Sequence, residues 1–196
     1  MNNFYAIVSR MKYINRWALM RNSYTENISV HSLEVSMLAH ALCVIGNKRL
    51  GKSMDADRAA MIALYHDATE IITGDMPTPI KYRNKEIKGA FKEIEADAAN
   101  QLLEMLPEDF RDEYRNIFFP REDEAYLCRL VKAADKLSAL IKCIEEEKMG
   151  NSEFSSAGAT LKKSIEDMQL EEVGIFMEDF LPAYYLTLDE LQQGTK

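Results

Sequence analysis

The chain has 196 residues, a formal net charge of −8 and three cysteines. That length suits one domain able to bury about 70% of its unfolded surface, and the acidic balance without a basic stripe argues against nucleic acid as a bulk partner, while leaving room for a small anion. Cys43, Cys128 and Cys143 lack C-x-x-C spacing, and no signal peptide or apolar run near twenty residues is read, so the expectation is a soluble cytoplasmic protein with reduced thiols and no membrane partner.

Phe4, Ile7, Val8, Met11 and Ile14 repeat at helical spacing behind Asn2 and Asn3 as candidate caps. The connecting stretch Asn15-Arg16-Trp17-Ala18-Leu19-Met20-Arg21 holds the only tryptophan and two arginines. Taken alone, it reads as a Trp that closes the core while the Arg side chains reach water. Thr25 to Ser29 is turn-like, with Ser29 as N-cap of a helix over residues 30–45 that breaks at Gly46-Asn47. His31 shares a face with Val35, Leu38, Leu42 and Ile45 and so points at the core. His40 lies roughly 180° away and cannot serve the same site.

A helix capped by Asp55 leads into Tyr65-His66-Asp67-Ala68-Thr69-Glu70 and stops at Gly74. A buried His-Asp pair in an alanine-rich helix is costly unless satisfied, and a divalent cation would satisfy it; the dipeptide is also common by chance. Glu70 falls on the His66 face about one turn on. In Asp75-Met76-Pro77-Thr78-Pro79 two prolines prevent the helix continuing, which makes either an ordinary connection or a rigid ligand-binding wall.

Helices over residues 84–106, 108–117 and 122–149 follow, the first with a stripe of Phe91, Ile94, Ala98, Leu102 and Met105. The third contains Asp135, a poor helix former on a face with Val131 and Ala139. It reads as a fourth ligand or as the partner of Lys132, Lys136 or another cation. Helices over 156–168 and 170–180 and a last one near Leu188 complete an all-α chain without sheet, repeat or domain boundary. With three histidines in all, the nitrogen ligands reduce to His31 and His66, and one metal is the economical reading.

The order His31, His66-Asp67, Asp135 resembles the H…HD…D pattern of the HD-domain superfamily of metal-dependent phosphohydrolases. Asn15-Arg16-Trp17, Glu26 to Ser32, His66 to Glu70 and Thr73 to Pro79 closely resemble the bacterial 5'-deoxynucleotidases over nearly the whole chain. The resemblance implies a single HD domain over residues 1–196 and hydrolysis of deoxyribonucleoside 5'-monophosphates to deoxynucleoside and phosphate. It also implies a homodimer. Arg16 would orient the phosphate, and Trp17 would pack on the sugar and disfavour a 2'-hydroxyl. Asp75, Met76, Pro77 and Thr78 would contact the substrate, together with His31 and Asp67. One departure is Val30, directly before His31, where this family often has glutamate; a partner that tunes the ligands would then be missing.

Two imidazoles and two carboxylates suit Mn²⁺, Co²⁺, Fe²⁺ or Zn²⁺. Four protein ligands saturate a tetrahedral zinc, so catalysis favours a five- or six-coordinate ion, Co²⁺ or Mn²⁺. Glu70 is then placed as general acid/base. Two other readings compete: an HD phosphohydrolase acting on a nucleoside triphosphate or cyclic dinucleotide, and a non-catalytic helical metal-binding module.

Overall fold

The computed structural model describes residues 2–81 and 83–193; the side chain of Thr78 lies outside the described residues. Among the described residues there is no strand, and the one isolated bridge pairs Asn15 with Asn27.

Helix α1 (Phe4–Val8) leads into a 3₁₀ turn (Ser9–Tyr13). The long helix α2 (Ile28–Arg49) is capped by Asn27, whose side chain accepts from the Ser29 and Val30 amides at 3.1 Å each. Ser29, the expected cap, therefore lies inside the first turn. Nor does α2 break at Gly46-Asn47. A Cβ at Gly46 would lie 2.3 Å from Met54 Cε and 2.9 Å from Glu172 Oε1, so this glycine permits close packing within the helix. The chain turns instead at Gly51, with φ +66°.

By length and composition α2 could cross a membrane, with a mean hydropathy of 1.6, which corrects the expectation that no apolar run approaches twenty residues. The cause is its place at the centre of the fold, where Val35, Leu42 and Cys43 are fully buried.

Helix α3 (Ala56–Tyr65) starts at its expected cap, Asp55, which accepts from the Arg58 amide at 2.8 Å. It is followed by α4 (Glu70–Thr73) and by α5 (Thr78–Lys81), which has Pro79 in its only turn. A proline there lacks only an N–H that the first turn leaves unbonded, so Pro79 helps start a helix as well as stopping one. Next come α6 (Lys85–Glu104), α7 (Arg111–Phe118), α8 (Ala125–Lys148), α9 (Ser155–Glu166), α10 (Glu171–Asp179) and α11 (Leu188–Gln193). The stripe on α6 is as expected at Phe91, Ala98 and Leu102, but Ile94 is 51% exposed, because the buried face turns toward Ala99 and Leu103.

Two apolar clusters form. The larger joins α2, α3 and α8 with α9 and α10 through Leu42, Ala63, Leu130, Leu137 and Phe176. The smaller gathers Phe4, Met11, Ile28, Ala68, Leu102 and Leu106. Each fully buried leucine or phenylalanine contributes about 1.5–3 kcal/mol by leaving water.

The segment after Trp17 is fixed to α8 by a buried ion pair, Lys142 with Glu146. Lys142 also donates to the Tyr24 carbonyl at 2.8 Å. Glu146 accepts from the Ser23 amide at 2.9 Å and from Asn151 Nδ2 at 2.7 Å. Burial alone would raise the Glu146 carboxyl, but these donors outweigh it and hold it down to about 2. Lys142→Met leaves the carboxylate without its cation and should destabilise the protein by about 3–5 kcal/mol at neutral pH. A depressed carboxyl stabilises above the unfolded value, about 4.3, and loses that contribution as pH falls toward its folded value. The gap between wild type and variant in urea denaturation should therefore hold at neutral pH and narrow as pH falls from about 4.3 toward 2; a constant gap would place the effect in packing alone.

Candidate metal centre

Residues 66–69 lie where the two clusters meet. Ala63 belongs to the larger and Ala68 to the smaller. The backbone between them tightens into bonds from Ala68 N to Tyr65 O and from Glu70 N to Asp67 O, both at 3.0 Å. This replaces the continuous helix that the sequence suggests. It brings His66 Nε2 to 3.2 Å from Asp67 Oδ2, although neighbours on a regular helix do not face each other.

His66 Nδ1 lies 2.7 Å from the Ala63 carbonyl, an acceptor only, so Nδ1 carries the proton. Its Nε2 is thus the atom left to meet a cation, and it is buried with no hydrogen-bond partner among the described residues. His31 is fully buried, with Nδ1 3.0 Å from Ser138 Oγ and Nε2 3.1 Å from Asp135 Oδ1 and 3.5 Å from Asp67 Oδ2. Ligand atoms of His31, His66 and Asp67 all lie within 4.8 Å of one another. An orphaned imidazole nitrogen, a second imidazole and a carboxylate around one point fit a divalent cation.

Asp135 is not one of that close trio but touches His31, so its partner is the histidine and not Lys132 or Lys136. Burial opposes the charge on Asp135, but the His31 contact outweighs it and keeps the carboxyl below its usual range. Asp67 behaves likewise: burial opposes its charge, and His66, His31 and Arg16 hold the carboxyl far below normal. His66 is the counterpart, pushed up to about 9 because Asp67 and Asp135 outweigh burial. A bound cation would take the place of that proton.

Val30 is 58% exposed and belongs to the outer face of α2. The partner of His31 is Ser138, so the substitution before His31 leaves the ligand supported.

Arg16 and Trp17 reach the centre through a short antiparallel contact: Arg16 N donates to Glu26 O at 2.9 Å and Ile28 N to Ile14 O at 3.0 Å. Glu26 Oε2 accepts from Arg16 Nε at 3.2 Å and from Trp17 Nε1 at 2.8 Å. Arg16 Nη1 donates to Asp67 Oδ2 at 3.3 Å. Burial works against the guanidinium, but Asp67, Asp135, Glu26 and Asp75 hold it more firmly protonated than usual. The half-buried Trp17 ring packs on Phe154 at 5.2 Å, and its backbone has φ 58°, a region that bulky residues rarely occupy.

Glu70 is 5% exposed and its Oε2 has no hydrogen-bond partner among the described residues. Burial first, then the charges of Asp67 and Asp75, push its carboxyl up to about 9. Asp75 is also raised, by burial, against the opposing influence of Arg16. Met76 and Pro77 are half-buried, and the Pro77 carbonyl accepts from Ile80 at 2.8 Å to begin α5. His40 stands apart, 3.9 Å from the fully exposed Asp57.

The sequence reading missed Glu26, Ser138 and Glu34. The available signal was spacing. Ser138 follows Asp135 by three positions and Glu34 follows His31 by three, which puts each polar residue on the face of a candidate ligand.

A family model described as 5'-deoxynucleotidase YfbR-like matches residues 3–184. The chain is 44% identical over 193 residues to a 5'-deoxynucleotidase of Shewanella oneidensis, covering 98% of this chain and 99% of that one. It is 48% identical over 198 residues to the 5'-deoxynucleotidase YfbR of Escherichia coli, covering 99% and 98%. Among solved structures, an HD-domain phosphohydrolase from Listeria innocua superposes with a TM-score of 0.81 at 21% identity, covering 97% of this chain and 94% of that one. The cyanophage S-2L HD phosphohydrolase DatZ, solved with dA and one catalytic Zn²⁺ ion, superposes at 0.67 and 22%, covering 93% and 96%. These likenesses establish the all-α HD fold.

Proposed function

The chain belongs to the YfbR-like family of 5'-deoxynucleotidases, and from that premise we propose how its own residues hydrolyse a deoxyribonucleoside 5'-monophosphate to deoxynucleoside and phosphate. The observation that carries the reading is the meeting of His31, His66 and Asp67 beside the Arg16 guanidinium. His31, His66, Asp67 and Asp135 hold one divalent ion. The donor set favours Co²⁺ or Mn²⁺, with Zn²⁺ and Fe²⁺ within the same chemistry. When bound, the ion supplies an activated water and polarises the phosphoryl group.

Arg16 binds the phosphate with guanidinium N–H groups beyond the two that Glu26 and Asp67 engage. Glu70 takes the proton of the attacking water and returns it to the leaving 5'-oxygen. Asp75, Met76, Pro77 and Thr78 line the nucleoside side, with His31 and Asp67 also touching the substrate. Of the other candidate cations, Lys81 bonds Glu95 at 2.7 Å and Arg21 lies 3.7 Å from Glu153. That arrangement suits a monophosphate better than a triphosphate or cyclic dinucleotide. A phosphate-release screen of dAMP, AMP and dATP with each metal, and with a chelator, tests the reading; turnover of dATP in preference to dAMP would overturn the substrate class.

Residues 1–196 act as one domain. Free cysteines, two of them buried, suit the reducing cytoplasm. A homodimer is supported by the outer stripe of α2, where Val30, Leu33 and Met37 are 58%, 55% and 59% exposed on one face.

Trp17 selects the sugar. Its indole is anchored through Glu26 next to Arg16, so it meets the group beside the phosphate. A 2'-hydroxyl there would lose water without gaining a partner, which costs about 1–3 kcal/mol, or roughly 5- to 150-fold in kcat/KM. Trp17→Ala should bring the dAMP-to-AMP ratio of kcat/KM toward one in a folded protein. An unaltered ratio would leave Trp17 as packing against Phe154 and move the sugar filter to Asp75–Thr78.

A further inference from the structure

Ser138 is fully buried in the middle of α8, and its hydroxyl has two neighbours. It donates to Glu34 Oε2 at 2.5 Å, and His31 Nδ1 lies 3.0 Å away. A hydroxyl has one proton and two lone pairs. With the proton committed to Glu34, the oxygen can only accept from His31, so Nδ1 must carry the hydrogen. Glu26 Oε1, 3.9 Å from the same nitrogen, favours that placement as well. The other nitrogen, Nε2, faces Asp135 Oδ1 at 3.1 Å and Asp67 Oδ2 at 3.5 Å, so a proton shared there is the one a cation displaces, which leaves the Nε2 lone pair to the metal.

We propose that Glu34 and Ser138 are positioning residues that lock His31 in its Nδ1–H form, so that Nε2 is ready for the metal. His66 reaches the same form through the Ala63 carbonyl, which cannot be altered by side-chain substitution. His31 depends on two side chains. Without the Glu34 acceptor, Ser138 is free to rotate its proton toward Nδ1 and favour the form whose Nε2 carries the hydrogen. That form cannot ligate until it rearranges.

The proposal rests on the metal reading above, and its test separates the two. Wild type, Ser138→Ala, Ser138→Thr and Glu34→Ala are compared. The His31 form is read in metal-free protein from the ¹⁵N shifts of its ring nitrogens, and Co²⁺ affinity is measured by titration. Wild type should carry hydrogen at Nδ1, whether or not Nε2 also shares a proton with Asp135 and Asp67. Ser138→Ala and Glu34→Ala should each bind Co²⁺ about 10- to 100-fold more weakly, and Glu34→Ala should populate the Nε2–H form. Ser138→Thr, which keeps the hydroxyl, should restore both readouts. Wild type that takes up no Co²⁺ would overturn the metal reading and this proposal with it. Equal affinity and the same His31 form in wild type and Glu34→Ala would overturn this proposal alone. Glu34 lies at the edge of the packed face, so its variant keeps the test decisive even where a substitution at Ser138 disturbs the core.

Discussion

Alanine at His66 should remove metal binding and turnover together, with a loss in kcat/KM of roughly 10³-fold or more. The magnitude follows from the several kcal/mol that a divalent ion contributes to phosphoryl chemistry. Apart from its approach to Asp67 Oδ2, His66 Nε2 has no hydrogen-bond partner among the described residues, so its removal leaves the fold little to lose and the metal much. The same outcome is expected for His31→Ala and Asp67→Ala, the other members of the close trio. Asp135→Ala is the more informative variant. Its carboxylate sits against His31 just outside that trio, so it either closes the coordination sphere on metal binding or only steadies His31. Metal content by mass spectrometry, read beside activity, decides: full occupancy in Asp135→Ala would remove it from the ligand set. His40→Ala, at a side chain 48% exposed near Asp57, should leave both readouts unchanged.

Glu70→Gln should keep the metal and lower kcat by about 10²-fold or more, the usual scale for a lost general acid/base. A buried carboxyl with an orphaned oxygen is costly to maintain, and its two nearest like charges make it costlier. Its pKa is about 9 with only protein charges around it. A cation at the neighbouring ligands pulls that value down toward the working range, which is where a group that both takes and returns a proton must lie. Glutamine preserves shape and hydrogen bonding while removing the proton transfer. Metal loss in Glu70→Gln would make Glu70 a ligand, and unchanged turnover would remove it from the chemistry.

Much of the fold was legible because long helices advertise their period and caps. Asp55 caps α3, the acidic run Glu122-Asp123-Glu124 opens the turn before α8, and Gly150 follows its end as the pattern implies. The failures came where tertiary packing overrides local signals. Gly46 looks like a stop but sits inside α2, where Met54 and Glu172 crowd it. Ile94 fits a stripe but faces water, because the docking of α6 rotates the buried face. At the site, residue types and spacing named the histidines and carboxylates. They could not reveal that residues 66–69 abandon regular helix, which is what makes His66 and Asp67 face one another. Nor could spacing show that Glu26 would join Arg16 and Trp17, since that contact depends on segments paired outside any helix.

The backbone of Trp17 places this chain on one side of a trade between endurance and performance. A residue with a Cβ at φ 58° carries a penalty on the order of 1–3 kcal/mol that glycine would escape. A lineage shaped only by resistance to heat would shed that penalty, and with it the indole that Glu26 and Phe154 grip. Efforts to make this protein hardier by relaxing its strained positions would therefore strike first at the side chain we propose as its sugar filter. Gains in robustness are better sought on the outer surfaces of α6 and α7, away from the loop that feeds Arg16 to the centre.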